Sequence, residues 1–557
     1  MTKPTLYQAL AEAFVAEGVD TQFALMGDGN MHWSTALAAL DVQTIHVRHE
    51  HCAVAAAMSY HLATGKIGAA SVTCGPGFTQ VMTALPAAVR ARIPLVVFAG
   101  EAPINAKFYN QYIDQAPFAV ATGAHYIAAH SLPRIMEYVR EAFHVARLER
   151  RPVILGVPYD LQKTAYDSKT KYATSASVLP DVGRPMPDPA LVAKVVERIK
   201  AAKRPIVLAG RGVTRSDAKA AVVAMADRCG ALLATTLPVR GLFHDHPYSL
   251  GITGGYGSSL SREMFGQADL VIAVGASMSY YTADGGHLYS DAFVVQIDEA
   301  PRGLKDGMMA AQIFLRADAR VTCEAITKAL GDAAPTANIR TPDLARRIAT
   351  EPADTEPFQI APGVLDPRKV VEELDAAIPK DWDIVSGSGH QAYFLAHMRG
   401  RSAERFLTIR EFGAIGNGLS YALGVAAARR QGRSGKIVLI EGDGGLLMHI
   451  QELETLKRHG LRMLICTMND GAFGSEIHKL RADGVDDSGA IFGRPDFAGI
   501  ARGFGHRGGT VTAHGRIPAM FDAFAAQGES EVWDIHISDQ VTAPSMRKTI
   551  SRGHGKM

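Results

Sequence analysis

The sequence predicts an α/β protein of three consecutive domains with mainly parallel sheets. Short apolar runs alternate with helical patterns, and a helical crossover makes the strands on either side of it parallel. Two polar or proline-rich stretches, 164–182 and 341–363, interrupt this alternation as connectors do. The length of 557 residues is also too great for a single hydrophobic core. We therefore expect domains at residues 1–163, 185–340 and 364–541.

The composition is that of a globular protein and excludes some classes of partner. Hydrophobic residues make up 47% of the chain and charged residues 20%. A formal net charge of +2 gives no reason to expect nucleic acid, and no apolar run is long enough to cross a membrane. The five cysteines have no metal-site spacing, and the first residues have no signal-peptide pattern. We therefore expect a cytoplasmic protein with reduced thiols.

The first domain is predicted to have strands that end in polar or glycine-rich loops. Asp28 lies in the loop after the first strand. Glu50 lies where the second strand ends and an alanine-rich helix, Cys52–Ala63, begins, and a glutamate in a first turn commonly complements the helix dipole. The predicted strands are Thr21–Met26, Val42–Val47, Gly68–Thr73, Pro94–Ala99 and Pro152–Val157.

The central domain has three strand-to-loop transitions of the kind that bind nucleotides. Predicted strands at Ile206–Ala209, Leu270–Val274 and Phe293–Ile297 each lead into a loop. None of these loops has the complete GxGxxG dinucleotide pattern. A central domain with a ligand and one without both remain open.

The third domain contains the stretch with the clearest chemistry. A strand at Ile437–Ile440 ends in the glycine-rich turn Glu441–Gly445. A helix between Leu446 and Gly460 then leads to a second strand, Leu461–Met468, which makes the two strands parallel. The preceding elements are predicted as a helix at Pro367–Ala377, a strand at Asp383–Ser386 and a helix of small residues at Leu419–Ala428.

Asp443 and Asp470 follow the two strands of this strand–helix–strand unit. Both therefore lie just beyond the same edge of the sheet, where ligands of open α/β sheets bind. The glycines beside Asp443, which are Gly442, Gly444 and Gly445, allow backbone N–H groups to approach an anion at the start of the helix. Two carboxylates would repel that anion unless a hard divalent cation lay between them. We infer a cradle for a diphosphate and Mg²⁺.

This arrangement resembles the signature of thiamine diphosphate enzymes, a GDG turn followed one helix later by an Asn-Asn or Asn-Asp pair. In that family the Asp of the turn, the second residue of the pair and a backbone carbonyl two residues further on hold the metal. The resemblance therefore implies Asp443, Asp470 and Ala472 as metal ligands. The family usually has Asn where this chain has Asp470, which adds a negative charge to the site.

The first domain resembles the same family around Glu50. The sequence RHEHCAVAAAMSYHLATGK, followed by TCGPGFTQ, is similar to the family pattern HE…GYARATGK…TSGPG, in which the Glu hydrogen-bonds N1′ of the aminopyrimidine. The resemblance runs from Thr5 to about Val541 and is to the acetohydroxyacid synthase/pyruvate decarboxylase superfamily. It implies a thiamine diphosphate-binding fold for the first and third domains, with the pyrimidine on the first and the diphosphate on the third.

The resemblance implies further cofactor contacts in the third domain. The carbonyl of Gly413 would accept from the 4′-amino group, and Ile415 would be the apolar wedge that keeps the cofactor bent. The diphosphate-facing Gly-Gln-His of the synthases is matched in part by Ser388, Gly389 and His390.

The central domain resembles the domain that carries FAD in some acetohydroxyacid synthases. Ser277 and Met278 replace the Arg and Phe of a GARFDDR stretch that those enzymes use near the flavin. A domain without a ligand is at least as well supported as one that binds FAD.

Residues on the substrate side decide the reaction that follows loss of CO₂. By the resemblance, Asp28 and Glu476 stand where pyruvate decarboxylases have a catalytic Asp and Glu, and the plain alternatives are a solvated loop residue and a helix-surface residue. The paired histidines of those decarboxylases are absent, and Gln111 lies in a stretch closer to that of the acetohydroxyacid synthases. Roles are left unassigned for His32, His51 and Cys74.

We expect a carboligase/decarboxylase, similar to acetolactate synthase, that decarboxylates a small 2-oxo acid and ligates the activated aldehyde to a second carbonyl. Simple 2-oxo acid decarboxylation and cleavage of a 1,2-diketone by a lyase or hydrolase are the alternatives. A flavin oxidoreductase and a non-catalytic homologue are hypotheses of other classes. Because Glu50 and Asp443 lie in different domains, the family arrangement implies a site between two subunits, and so a homo-oligomer built as a dimer of dimers.

Overall fold

Three six-stranded sheets, each fully parallel and flanked by helices, form the framework of the chain. The computed structural model describes residues 3–167, 171–301, 311–332, 335–430 and 434–551. The prediction of three consecutive α/β domains with parallel sheets is confirmed. The residue boundaries given above for those domains stay predictions.

The first sheet has the strand order β2-β1-β3-β4-β6-β5. All five predicted strands are present, and the edge strand β5 is additional, because its partly exposed residues give no apolar run. The strands are β1 Thr21–Ala24, β2 Gln43–His46, β3 Gly68–Val72, β4 Leu95–Glu101, β5 His125–Ala128 and β6 Pro152–Pro158. The helices are Leu6–Ala16, Met31–Ala38, Glu50–Thr64, Pro76–Thr79, Ala84–Ala91, Ala116–Thr122, Ile135–Glu149 and Tyr159–Gln162.

The central sheet has the order β12-β11-β10-β7-β8-β9, which is the 3-2-1-4-5-6 order of dinucleotide-binding domains. Its strands are β7 Pro205–Ala209, β8 Leu232–Thr235, β9 Ser249–Ile252, β10 Leu270–Val274, β11 Phe293–Asp298 and β12 Ile313–Arg316. Its helices are Pro189–Ala201, Arg211–Arg215, Lys219–Cys229, Ser259–Gly266, Tyr280–Ala283 and Ala319–Leu330.

The third sheet repeats the order of the first, as β14-β13-β15-β16-β18-β17. Its strands are β13 Asp383–Ser386, β14 Phe406–Thr408, β15 Ile437–Gly442, β16 Leu464–Asn469, β17 Arg507–Val511 and β18 Glu531–His536. Its helices are Pro367–Ala377, Gln391–Leu395, Gly418–Arg429, Asp443–Met448, Glu452–His459, Gly474–Ala482, Phe497–Gly503, Ile517–Ala525 and Pro544–Ser551.

The described parts of the two predicted connectors are more ordered than their composition indicates, and residues 168–170 of the first connector lie outside the described residues. In the stretch 164–182, the backbone N–H and the hydroxyl of Ser175 both donate to the buried carboxylate of Glu17, each at 2.6 Å. The stretch 341–363 contains the helix Pro342–Thr350, which the prediction of a connector missed. That helix packs Leu344 into a core of the central domain.

The first and third domains share one hydrophobic core. Helix Glu50–Thr64 packs along helix Gly418–Arg429, and the buried side chains around them come from both domains. At Gly424 a Cβ atom would lie 2.0 Å from the carbonyl oxygen of Ala56, so only glycine fits and the two backbones touch. The central domain has cores of its own. Among the described residues, no helix combines the length and the apolar character needed to cross a membrane.

Candidate active site

The neighbouring strands β15 and β16 end in two aspartates that the structure brings together. Asp443 accepts hydrogen bonds of 2.7 Å from the backbone N–H groups of Gly444 and, across the gap between the strands, Gly471. Asp470 accepts from the N–H of Ala472 at 3.3 Å. The two carboxylates therefore lie side by side at the carboxyl edge of the third sheet.

The local structure around Asp443 differs from the prediction of an irregular turn. Glu441 and Gly442 complete β15, and Asp443 starts a helix that ends at Met448. The predicted continuous helix is also interrupted, because Nδ1 of His449 donates to the carbonyl of Gly416 at 2.8 Å and the chain turns there. The glycines are tolerated in this helix because their neighbours leave no room for side chains.

Three glycines near the aspartate pair are packed so closely by their neighbours that a Cβ atom would clash. A Cβ on Gly444 would lie 2.8 Å from the ring of Phe473, and one on Gly445 would lie 2.3 Å from Oε1 of Glu441. A Cβ on Gly474 would lie 2.5 Å from Oδ2 of Asp470. Gly474 was not identified from the sequence, since a single glycine after the aspartate gives no signal of its own.

The electrostatics of the pair fit a divalent cation. Burial raises the pKa of Asp443 to about 6. Burial and then the neighbouring Asp443 raise the pKa of Asp470 well above its usual range. A cation between them would relieve both effects. No group of three or more His, Cys, Asp or Glu side chains in the described part of the chain forms a metal site, so the remaining ligands would be a backbone carbonyl and ligand oxygens.

Glu441 is a buried carboxyl group beneath this site, and it belongs to none of the motifs that predicted the site. Its side chain is 1% exposed, and Oε2 accepts from the N–H of Gly387 at 2.9 Å. Burial raises its pKa to about 8. Gly418 and Gly445 also have no room for a Cβ beside this carboxyl group. Glu441 therefore lies between the loop at Gly387, the loop before Gly418 and the aspartate loop.

The loop after β13 places His390 next to the same aspartates. Its Nε2 accepts from the backbone N–H of Ala543 at 3.1 Å. Its Nδ1 lies 3.4 Å from the point where a Cβ of Gly474 would be, the point that Asp470 also crowds. Burial lowers the pKa of His390, so the ring is neutral. Its ring centroid lies 4.6 Å from that of His478.

Ser388, Gly389 and Gly413 gather at the same edge. The hydroxyl of Ser388 donates to the carbonyl of Gly413 at 3.4 Å. Gly389 has a φ of +146° and Gly413 a φ of +72°, both of which favour glycine. Ile415, two residues further on, is half-buried.

Two substrate-side candidates of the first domain, Asp28 and Gln111, are linked by Tyr109, and Cys74 contacts the second of them. The hydroxyl of Tyr109 lies 3.4 Å from Oδ2 of Asp28 and 3.4 Å from Oε1 of Gln111. The thiol of Cys74 lies 3.4 Å from the same Gln111 oxygen. Asp28 is exposed, so this cluster opens to solvent.

Glu50 starts its helix in the first domain, and its carboxylate lies against the turn at Gly77, where a Cβ would be 3.1 Å from Oε1. Burial raises its pKa. Glu476 is exposed on helix Gly474–Ala482 and pairs with Lys479 at 3.4 Å, which is the geometry of a helix-surface residue.

The histidines without assigned roles have structural contacts. Nε2 of His51 hydrogen-bonds Oδ1 of Asn417 in the third domain, and its ring stacks on His449 with centroids 4.8 Å apart. Burial lowers the pKa of His51 to about 4. His32 lies between Tyr7 and Tyr159 in the first domain.

In the central domain, the segments that follow β7 and β10 are in close contact. The N–H of Gly212 donates to the carbonyl of Gly275 at 2.9 Å, and a Cβ on Gly212 would lie 2.4 Å from Cα of Gly275. Met278, beside Ser277, is buried and lies 3.9 Å from the hydroxyl of Tyr289.

Comparison with known protein families identifies the family of all three domains. Family models match the chain at residues 4–118 (thiamine pyrophosphate enzyme, N-terminal TPP binding domain), 192–326 (central domain) and 387–535 (C-terminal TPP binding domain). The chain belongs to the thiamine diphosphate-dependent enzymes, in the acetohydroxyacid synthase/decarboxylase superfamily, and this prediction is confirmed.

Individual relatives cover nearly the full length. The chain is 27% identical to a probable acetolactate synthase large subunit of Methanocaldococcus jannaschii, over 96% of this chain and 92% of the relative. It is 28% identical to the acetolactate synthase isozyme 2 large subunit of Escherichia coli, over 92% of each. It is also 28% identical to a probable 2-ketoarginine decarboxylase of Pseudomonas aeruginosa, over 90% of this chain and 88% of the relative.

Proposed function

We propose that this enzyme uses thiamine diphosphate and Mg²⁺ to decarboxylate a small 2-oxo acid and to ligate the activated aldehyde to a second carbonyl. The observation that carries the proposal is the buried pair Asp443 and Asp470 at the ends of two neighbouring parallel strands. The acetolactate synthase names of the relatives support the carboligase reaction.

Asp443, Asp470 and the carbonyl of Ala472 would hold the metal in this proposal. Thiamine diphosphate, when bound, supplies a carbon nucleophile and an electron sink for the decarboxylation. The glycines Gly442, Gly444 and Gly445 would allow the diphosphate to approach the backbone.

A further set of residues, from the first and third domains, would bind and orient the cofactor. Because Nε2 of His390 accepts from Ala543, its Nδ1 carries the proton and can donate to a diphosphate oxygen on the side of Asp470. Ser388 and Gly389 would line the same loop. Glu50, with its raised pKa, would hold a proton at the pyrimidine, while the Gly413 carbonyl and Ile415 would fix the orientation of that ring.

We propose that the site forms between two subunits, in a homo-oligomer that is a dimer of dimers. The basis of this proposal is the family arrangement described above; within one chain, His51, next to Glu50, also contacts Asn417 of the third domain. Large apolar side chains are exposed near both halves: Phe108 is 83% exposed in the loop that carries Gln111, and Phe473, beside Gly474, is 39% exposed. A second subunit that covered these loops would bury both rings. Sedimentation of a fully active monomer would contradict the proposal.

A simple 2-oxo acid decarboxylase is the second candidate. The cluster of Asp28, Tyr109 and Gln111 offers an acidic group and a hydroxyl that could protonate an intermediate, and the 2-ketoarginine decarboxylase relative points the same way. Cleavage of a 1,2-diketone by a lyase or hydrolase uses the same cofactor without loss of CO₂.

The deciding experiment is incubation of the enzyme with thiamine diphosphate, Mg²⁺ and a panel of 2-oxo acids and 1,2-diketones. Release of CO₂ together with a 2-hydroxy ketone supports the carboligase, and CO₂ with a free aldehyde supports the decarboxylase. Diketone cleavage without CO₂ supports the third reaction. Flavin absorbance of the purified protein decides whether the central domain carries FAD.

A further inference from the structure

The segment 410–412 follows β14 and directly precedes Gly413 and Ile415, the two residues proposed to orient the pyrimidine. The segment is neither helix nor strand. The N–H of Gly413 donates at 3.0 Å to the carbonyl of Arg410 in the same turn, and its carbonyl accepts from Ser388 at the long distance of 3.4 Å. Apart from its chain neighbours, no described atom lies within 4 Å of the point that a Cβ on Gly413 would occupy. The loop at Gly413 therefore has little packing of its own.

Glu411 joins this segment to the central domain through an ion pair with Arg211. Oε1 of Glu411 lies 2.6 Å from Nη2 of Arg211, and Oε2 accepts from the backbone N–H of Arg410 at 2.9 Å. The side chains of Arg211 and Glu411 are 24% and 20% exposed. A pair with this much shielding from water is stronger than a fully exposed one.

Arg211 is itself held on a firm support. It begins the short helix after β7, at the carboxyl edge of the central sheet. The neighbouring Gly212 donates its N–H to the carbonyl of Gly275 after β10 at 2.9 Å, and the two backbones touch. The cationic partner of Glu411 is thus fixed by the framework of the central domain.

The two neighbours of Glu411 in the segment also contact other domains. The guanidinium carbon of Arg410 lies 5.0 Å from the ring centroids of Tyr256 in the central domain and Tyr393 in the third, and these two rings stack with centroids 4.5 Å apart. The ring centroid of Phe412 lies 4.9 Å from the guanidinium carbon of Arg90 in the first domain. Cation–aromatic contacts of this kind are attractive. Side chains from all three domains therefore meet at the segment 410–412.

The position of this segment matters for the chemistry that follows it. A carbonyl that accepts from the 4′-amino group, and an apolar side chain that keeps the cofactor bent, must be in place before the reaction. A displacement of about 1 Å can slow a reaction by about a hundredfold. A loop with little packing of its own must be ordered at an entropic cost, and contacts formed before the cofactor binds reduce that cost.

We propose that the ion pair of Arg211 and Glu411 positions Gly413 and Ile415 for the pyrimidine of thiamine diphosphate. The central domain thereby acts on the reaction through a contact with the cofactor-binding loop. Arg211 and Glu411 are positioning residues in this scheme. The inference rests on the proposed function, because the roles of Gly413 and Ile415 are taken from it. The opposing interpretation is an ion pair that only stabilises the packing of the central domain against the third.

The test compares two ligands on the full-length enzyme in the presence of Mg²⁺. Pyrophosphate occupies only the diphosphate half of the proposed site, whereas thiamine diphosphate also occupies the pyrimidine half. Arg211→Gln should leave pyrophosphate affinity unchanged in calorimetry and slow hydrogen–deuterium exchange at C2 of bound thiamine diphosphate by about tenfold or more. A lower melting temperature with unchanged C2 exchange, or equal weakening of both ligands, would overturn the proposal.

A second variant approaches the pair from the third domain. Glu411→Gln keeps the shape of the side chain and removes its charge, so it should slow C2 exchange as Arg211→Gln does, and it decides the matter if Arg211→Gln does not fold. The double variant should be no slower than either single one, because both changes remove one contact. Additive effects would refute the pair. Arg340→Gln is the matched control, since its ion pair of 2.7 Å with Asp227 lies within the central domain, and it should behave as wild type.

The same measurements separate this inference from the function on which it rests. Wild-type enzyme that binds no thiamine diphosphate would refute the proposed function and this inference with it. Wild-type enzyme that binds the cofactor and exchanges its C2 proton, with the same exchange rate in Arg211→Gln and Glu411→Gln, would refute this inference alone.

Discussion

The backbone N–H of Ala543 donates a hydrogen bond of 3.1 Å to Nε2 of His390. A neutral imidazole that accepts at Nε2 carries its proton at Nδ1, so this contact fixes the tautomer. The Nδ1 side of the ring lies toward Gly474, which Asp470 also contacts. A residue far from His390 in sequence thus determines which hydrogen bond the ring offers to the proposed diphosphate.

Two substitutions of His390 should distinguish the contributions of its two ring nitrogens to cofactor binding. His390→Asn can keep a donor near the position of Nδ1, whereas His390→Gln can keep only a group near Nε2. We expect His390→Asn to retain thiamine diphosphate affinity and His390→Gln to lose about tenfold, because only the first donates to the ligand. Calorimetry with Mg²⁺ present measures both, and the reverse order would contradict the assigned tautomer.

The two aspartates should differ in their response to substitution. Asp443→Asn should abolish Mg²⁺-dependent cofactor binding, whereas Asp470→Asn restores the residue usual in the family and should bind with an affinity within about tenfold of wild type. In the absence of metal, Asp470→Asn should also raise the free energy of unfolding by about 1 kcal/mol, because it removes one of two buried carboxylates. Urea titrations with EDTA and with Mg²⁺ measure this, and equal behaviour of the two variants would argue against a shared cation.

Glu50→Gln should bind thiamine diphosphate but slow hydrogen–deuterium exchange at its C2 atom by about a hundredfold or more, because the glutamine cannot hold the proton at the pyrimidine. Glu476→Gln is the control, since Glu476 is exposed and paired with Lys479. Exchange followed by NMR after acid quench measures both. An unchanged rate in Glu50→Gln would remove the proposed role.

The stability of the fold should depend on pH through His51. Its pKa is lowered to about 4 by burial, so between pH 6.5 and pH 4 the unfolded chain binds a proton that the folded chain does not. This contribution to stability is therefore present above pH 6.5 and is lost as the pH falls, by about 2 kcal/mol at pH 5. His51→Gln should remove it.

The comparison of His51→Gln with wild type is needed because other buried groups, including the neighbours His49 and His449, titrate as well. Denaturant unfolding at pH 7.5 and at pH 5 should show the variant gaining on the wild type at the lower pH. A difference that is the same at both pH values would show that His51 is not the group that titrates.

Contact between the first and third domains should be sensitive to a single methyl group. Gly424→Ala places a Cβ 2.0 Å from the carbonyl oxygen of Ala56, so the helices must separate and the free energy of unfolding should fall by about 2 kcal/mol. Gly266→Ala is the matched control on a helix of the central domain, with nothing within 4 Å of the new atom. That variant should be unchanged or more stable by about 0.5 kcal/mol. Equal effects would show that the contact is not tight.

Apolar runs and the aspartate-bearing loops allowed much of this fold to be predicted. Buried strands such as Leu270–Val274 and Asp383–Ser386 were located to the residue, because a continuous apolar run between loop signals has few other interpretations. The edge strand His125–Ala128 was missed because its residues are partly exposed and form no continuous apolar run. The helical conformation of Gly444 and Gly445 was also missed, since tertiary packing overrides the low helix propensity of glycine.

The candidate site could be predicted only where a residue belongs to a motif. Asp443 and Asp470 follow strands, and their meeting is a consequence of sheet geometry. Glu441, Gly474 and Tyr109 belong to no motif, and their positions beside the candidate site depend on contacts between distant loops, such as the hydrogen bond from Gly387 to Glu441. No local pattern encodes such contacts, so only the folded chain reveals them.

Because the first and third domains share one core and the central domain does not, the three domains differ in how far each depends on the others. Helices Glu50–Thr64 and Gly418–Arg429 join the first and third domains through one hydrophobic core, and the central domain, which lies between them in sequence, has a core of its own. The central domain could therefore be exchanged for another domain without disturbing the core that the first and third domains share. A cut that parted the first domain from the third would instead destroy the common interior of both.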